Sequence, residues 1–197
     1  MAGKTDYKHT ILVLVLCALF AALIAVGAFI KIPMFGVPFT LQTFFCILAG
    51  LLLGADRGAL AVGVYIFIGL AGIPVFTNGG GPGYIFQPSF GYIMGFFFGT
   101  YAAGRIAHAK RTASAARFFV AGFIGVLIVY VIGMTYLYII SNFYLHKQIG
   151  LDYVLVYCFL LLLPGDVFKC FVAAILAKRL YPAVQVYLDK KNKRPYY

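Results

Sequence analysis

Apolar residues gather in six long blocks along the chain, and polar positions fall between the blocks. Blocks of this length predict membrane-spanning helices, which need about 20 apolar residues each. The first is expected at about 10–30, the fourth at about 90–106, the fifth at about 118–140 and the sixth at about 153–180, with an interruption at Pro164-Gly165. The second and third, at about 41–55 and 59–72, are short. Each reaches only about 22 Å at about 1.5 Å per residue, and Asp56-Arg57-Gly58 is expected to turn the chain between them as a solvated pair.

The connections differ in character. Residues 31–38 carry Pro33, Gly36 and Pro38, which end the first helix and predict an ordered loop. Thr40 is placed to cap the second helix, and Gln42 either reaches a ligand or satisfies neighbouring backbone. The stretch 72–88 is rich in glycine but has no Gly-Lys-Ser/Thr ending and no dinucleotide-binding spacing, which excludes a phosphate cradle. Asn78, Tyr84 and Gln87 supply hydrogen-bonding groups there, and Phe76, Tyr84, Ile85 and Phe86 call for burial, so the stretch reads as a lid over a small-molecule pocket. Residues 105–117 are basic without an acid.

Two helices carry small residues at helical spacing. Gly91, Gly95 and Gly99 form one face suited to close packing. On the first helix Ala18 stacks with Ala22 and Ala21 with Ala25, either as internal packing or as a docking face for another membrane protein.

Composition strengthens the membrane reading: 63% of the 197 residues are hydrophobic and 11% charged, with a mean hydropathy of +0.97. We therefore expect an all-α membrane protein of one integral domain over residues 1–197: a bundle of six transmembrane helices at about 10–180, structured outer loops, and a basic tail at 181–197. The net charge of +11 then reports orientation, not a nucleic-acid partner. Lys31 and Lys147 fall on one side, Lys169 in the membrane, and the other 13 of the 16 Lys and Arg residues on the opposite side. By the positive-inside rule both termini are cytoplasmic, and the loops at 31–38 and 72–88 face outward. The first block is longer than the apolar run of a secretory signal, so a retained helix is expected. Cys17, Cys46, Cys158 and Cys170 lie inside apolar runs without metal-ligand spacing and read as small core residues. His146, in a short loop, reads as solvated.

The chemistry converges on Asp166 and Lys169, an acid and a base three residues apart in an apolar segment. Ionisable groups at membrane depth are costly and mark functional sites by default. The alternative is an i, i+3 pair that neutralises itself and steadies a kinked helix. Pro164 suits the first turn of a new helix, which moves the pair toward the outer side. With Gln42, Asn78 and Gln87, the pair offers an acceptor-rich end and a cationic end. A ligand with an amide-like head and a carboxylate matches that.

Four segments then carry a resemblance: Val37-Pro38-Phe39-Thr40-Leu41-Gln42-Thr43, Gly69-Leu70-Ala71-Gly72-Ile73-Pro74-Val75-Phe76, Phe90-Gly91-Tyr92-Ile93-Met94-Gly95-Phe96, and Pro164-Gly165-Asp166 followed by Lys169. In this order they resemble the BioY family, the biotin-specific substrate-binding (S) components of energy-coupling factor (ECF) transporters, over about residues 10–180. The resemblance implies biotin as the transported ligand and no cofactor. It implies a transmembrane coupling protein and two ABC-type ATPases as partners in a prokaryotic cell membrane, with Ala18, Ala21, Ala22 and Ala25 as the docking face. It also implies that Asn78 and Asp166 hydrogen-bond the ureido ring, that Lys169 faces a polar or charged part of the ligand, and that Phe39, Tyr84 and Tyr92 pack on its apolar parts. Gln42, Gly80 and Gln87 complete the implied site. The fourth block has no Lys or Arg before Arg105, so a second basic contact for a carboxylate is not visible there.

Without a phosphate loop or a chain of buried acids, uptake against a gradient calls for an external motor. Two rival classes are a proton- or ion-coupled secondary transporter of a small carboxylated solute using Asp166, and a membrane enzyme using Asp166 and Lys169 as acid and base. The second lacks a nucleophile, a metal cluster and a second acid, so no catalytic or metal-binding residue is expected.

Overall fold

A computed structural model describes residues 2–34, 36–110 and 114–188. Among these residues run α1 (Ala2–Phe29), a hairpin of β1 (Lys31–Ile32) and β2 (Phe39–Thr40), α2 (Gln42–Leu53), α3 (Ala55–Leu70), α4 (Phe90–Ala107), α5 (Ala115–Ile139), α6 (Leu151–Leu155) and α7 (Leu163–Leu188). A π-helical turn at Val156–Leu160 carries α6 toward α7, so the two are parts of one broken helix and the architecture is a six-helix bundle. The segments 10–29, 115–144 and 151–186 are long and apolar enough to cross a membrane. Large apolar side chains cover the outside, with Phe67 74% and Val186 69% exposed, as expected where lipid is the solvent.

Close backbone approach builds the bundle. A Cβ at Gly99 of α4 would lie 2.5 Å from the Gly125 carbonyl oxygen of α5, so the expected glycine face lets these two backbones touch. Thr100 donates to the Cys46 carbonyl at 3.1 Å, which ties α4 to α2. Ile47, Leu51, Val62, Phe118 and Val126 fill the centre, and all four cysteines are buried free thiols.

Three expectations change. Asp56-Arg57-Gly58 does not turn the chain: Gly54, at φ +89°, makes the turn by itself, and Asp56 enters the first turn of α3, where the helix dipole favours a carboxylate. Arg57 reaches the Leu188 carbonyl at 3.4 Å. Ile85 and Phe86 are exposed, and Phe86 stacks on Tyr144 at 4.9 Å; Phe76 and Tyr84 alone of that group are buried. The final helix runs past residue 180 to Leu188. Phe35, Arg111 and the basic residues of 189–197 lie outside the described residues, as do the side chains of Lys4 and Lys8.

The break before α7 positions the site. Pro164 sits in the first turn of α7, where a missing N–H costs nothing, and the Asp166 amide donates to the Leu162 carbonyl at 3.1 Å. A Cβ at Gly165 would lie 2.5 Å from Cζ of Phe39. Glycine thus lets the Phe39 ring of β2 lie on the start of α7.

Candidate functional site

A narrow cleft lies where α2, α4, α5 and α7 meet the first loop, residues 31–38. β2 and the start of α2 contribute Phe39, Thr40 and Gln42; the third loop, residues 72–88, contributes Thr77; α4 contributes Tyr92, Ile93 and Phe96; α5 contributes Val126, Val129 and Tyr130; Leu162 comes from the break just before α7, and Asp166 and Lys169 from the start of α7. The walls are mostly apolar and aromatic with a few converging polar groups, the usual make-up of a small-molecule site.

Asp166 and Lys169 are 5% and 7% exposed, and Lys169 Nζ lies 2.5 Å from Asp166 Oδ1. Lys169 also donates to the Thr40 carbonyl at 2.8 Å, and its ammonium sits 3.8 Å from the centre of the Phe39 ring, which adds a cation–π contact. Asp166 Oδ2 accepts a hydrogen bond from the Tyr130 hydroxyl. Oδ1 accepts no directed hydrogen bond from the described residues despite its ion pair. Burying two charges is tolerable only with such compensation. The cation is well satisfied, and the anion is held at both oxygens, by Lys169 at Oδ1 and by Tyr130 at Oδ2.

Gln42 is 2% exposed. Its Oε1 accepts from the Thr77 hydroxyl and from the Thr40 hydroxyl, each at 3.3 Å; its Nε2 donates to the Tyr65 hydroxyl at 2.6 Å. The Tyr65 hydroxyl in turn donates to the Val75 carbonyl at 3.3 Å. Gln42 therefore lines the cleft while joining the first loop, α3 and the third loop. The expected Thr40 cap is displaced by one residue, since Thr40 lies in β2, although its hydroxyl still accepts the Gln42 amide at 3.3 Å.

Of the residues expected at the site, Phe39, Gln42, Tyr92, Asp166 and Lys169 line this cleft. Asn78, Gly80, Tyr84 and Gln87 lie in the third loop, outside its wall. Asn78 is exposed and its side-chain oxygen accepts from Lys31 Nζ at 3.4 Å. Tyr84 is buried against Phe76, ring centres 4.6 Å apart, with its hydroxyl 3.3 Å from Ser89 Oγ. Gly80 is held close to the chain, where a Cβ would meet the Ile73 carbonyl oxygen at 2.3 Å, and Gln87 is exposed. The loop meets the cleft through Thr77 and Ser89. Sequence reasoning missed Tyr130, whose signal was a hydroxyl inside the apolar run of the fifth block, and Thr77, which stood next to the more conspicuous Asn78.

On the outside of the bundle, Ala18 and Ala22 are exposed and Ala25 is half-buried. With Val64, Ile68 and Val75 they line an apolar groove between α1 and α3. Ala21 lines its floor and is buried, so this alanine serves internal packing as well.

Comparison with known proteins agrees across sequence and structure. A model described as the BioY family matches residues 3–186. The chain is 43% identical over 192 residues to the probable biotin transporter BioY of Lysinibacillus sphaericus, covering 94% of this chain and 98% of that one. It is 40% identical over 171 residues to the biotin transporter BioY of Thermotoga maritima, covering 85% and 94%. A crystal structure of the S-component for biotin from an ECF-type ABC transporter superposes with a TM-score of 0.76 at 27% identity, covering 96% of this chain and all of the other.

Proposed function

Because the chain belongs to the BioY family, we propose that it is the biotin-binding membrane subunit, the S component, of an ECF-type vitamin uptake transporter. It captures biotin in the cleft above Asp166 and delivers it inward together with a separate coupling protein and two ABC-type ATPases. It performs no chemistry of its own.

The observation that carries this reading is the cleft's arrangement of one buried carboxylate, paired with Lys169, set among Phe39, Tyr92 and Phe96. Biotin's ureido group donates two N–H bonds from a compact ring whose flanks are apolar. Asp166 receives a ureido N–H, the aromatic side chains take the ring and chain, and Asn78 and Tyr84 act from the third loop above. Lys169 pairs with Asp166 and stands beside the polar head of the ligand. The groove at Ala18 and Ala22 suits a helix of the coupling protein, because small residues let helices approach closely.

The termini are cytoplasmic in this proposal. Arg57 and Arg105 line one cleft at the Leu188 end of the bundle, and Arg117 donates to the Ala107 carbonyl at 3.0 Å nearby. Lys31 lies by the third loop, where it donates to the Thr77 carbonyl at 2.7 Å. The positive-inside rule places the first group in the cytoplasm. The ion-coupled secondary transporter draws no support from these relatives.

The reading is tested by identifying the small molecule that co-purifies with the protein in detergent. Biotin is expected. A different carboxylated solute, found reproducibly in its place, would overturn it.

A further inference from the structure

Asp166 lines the cleft and can meet a ligand donor in a defined geometry only if its carboxylate is kept from rotating. Two groups hold it. Lys169 Nζ faces Oδ1 at 2.5 Å, and the Tyr130 hydroxyl donates to Oδ2. Lys169 is on the same helix and moves with Asp166, whereas Tyr130 comes from α5 and supplies the fixed reference.

The Tyr130 ring is itself immobilised. It is 2% exposed and meets Phe159 edge-on at 5.1 Å and Tyr92 edge-on at 6.4 Å. Such aromatic contacts fix the ring plane, which leaves the hydroxyl little freedom. Its neighbours on α5, Val126 and Val129, are apolar. A buried hydroxyl needs a partner, and Asp166 is the one the structure provides.

We propose that Tyr130 is a positioning residue for ligand recognition: by holding Oδ2 of Asp166 it fixes the orientation of the carboxylate that accepts from a ligand N–H donor. The inference rests on the biotin reading for the identity of that donor, the ureido group. Tyr130 then acts through Asp166 and governs selectivity for N–H donor heads, while the apolar contacts of the ligand are indifferent to it.

Tyr130→Phe keeps the ring packing and removes the hydroxyl. The test measures dissociation constants of wild type, Tyr130→Phe, Asp166→Asn and the double variant for biotin and for an analogue lacking the ureido group, with thermal unfolding of each in detergent. Expected is a loss of biotin affinity of about tenfold or more in Tyr130→Phe, unchanged binding of the analogue, and a double variant no weaker than Asp166→Asn alone. Phe159→Leu, which loosens the ring packing but keeps the hydroxyl, is expected to lower the unfolding temperature while keeping the preference for biotin. If Tyr130→Phe retains the wild-type preference for biotin, or weakens both ligands in parallel, the inference is overturned and the biotin reading stands. A wild-type protein that binds both ligands equally overturns the two together.

Discussion

Lys169 Nζ, near the start of the last helix, donates to the backbone carbonyl of Thr40 in β2 at 2.8 Å. The two residues are 129 positions apart, and this bond makes the buried ion pair part of the wall of the cleft. It also joins the pair to Gln42, since the Thr40 hydroxyl contacts the Gln42 amide.

Removing one charge of the pair leaves the other buried and uncompensated, which costs about 3–5 kcal/mol. Asp166→Asn and Lys169→Gln are each expected to lower the unfolding temperature. The double variant should regain much of that stability, because no net charge remains buried. Biotin affinity should fall by about 2 kcal/mol or more in either single variant and stay low in the double variant. Thermal unfolding combined with ligand titration reads both quantities, and recovery of affinity in the double variant would return the pair to a purely structural role.

Gln42→Leu removes the acceptor of the buried Thr77 hydroxyl and the donor to the Tyr65 hydroxyl, a loss that costs about 1–3 kcal/mol for a buried group left without its partner. Because Tyr65 continues to the Val75 carbonyl, the third loop loses its tie to α2. Hydrogen exchange by mass spectrometry should show faster exchange across residues 75–81 with little change in α5. Unchanged protection of that loop would show that Phe76 and Tyr84, packed at 4.6 Å, hold it without the polar relay.

Ala22 is exposed in the groove between α1 and α3, so a bulky side chain there blocks a partner without touching the cleft. Ala22→Trp is expected to bind biotin as wild type does and to lose uptake in cells that supply the coupling module. Loss of binding and uptake together would mean that this face serves the fold.

Much of this organisation was legible in the sequence because it rests on residues that are costly out of place. Asp166 and Lys169 stand out in an apolar block, Pro164 marks a helix start, and Gly91, Gly95 and Gly99 mark a close helix contact, borne out at Gly99 against Gly125. Other features depended on choices that only packing makes. Gly54 and Gly58 both offer a turn, and the chain uses Gly54. Ile85 and Phe86 called for burial by the logic of soluble proteins, yet they lie exposed at the outer end. Tyr130 looked like one more aromatic in a membrane helix, and its importance comes from a partner 36 positions away.

The central claim is that the cleft over Asp166 recognises the ureido head of biotin. Calorimetric titration of the detergent-purified protein with biotin, and separately with an analogue lacking the ureido group, tests it most directly. The account predicts tight binding of biotin and binding of the analogue weaker by on the order of 100-fold, as loss of hydrogen bonds to a buried charged group implies. Equally weak binding of the two ligands would contradict it.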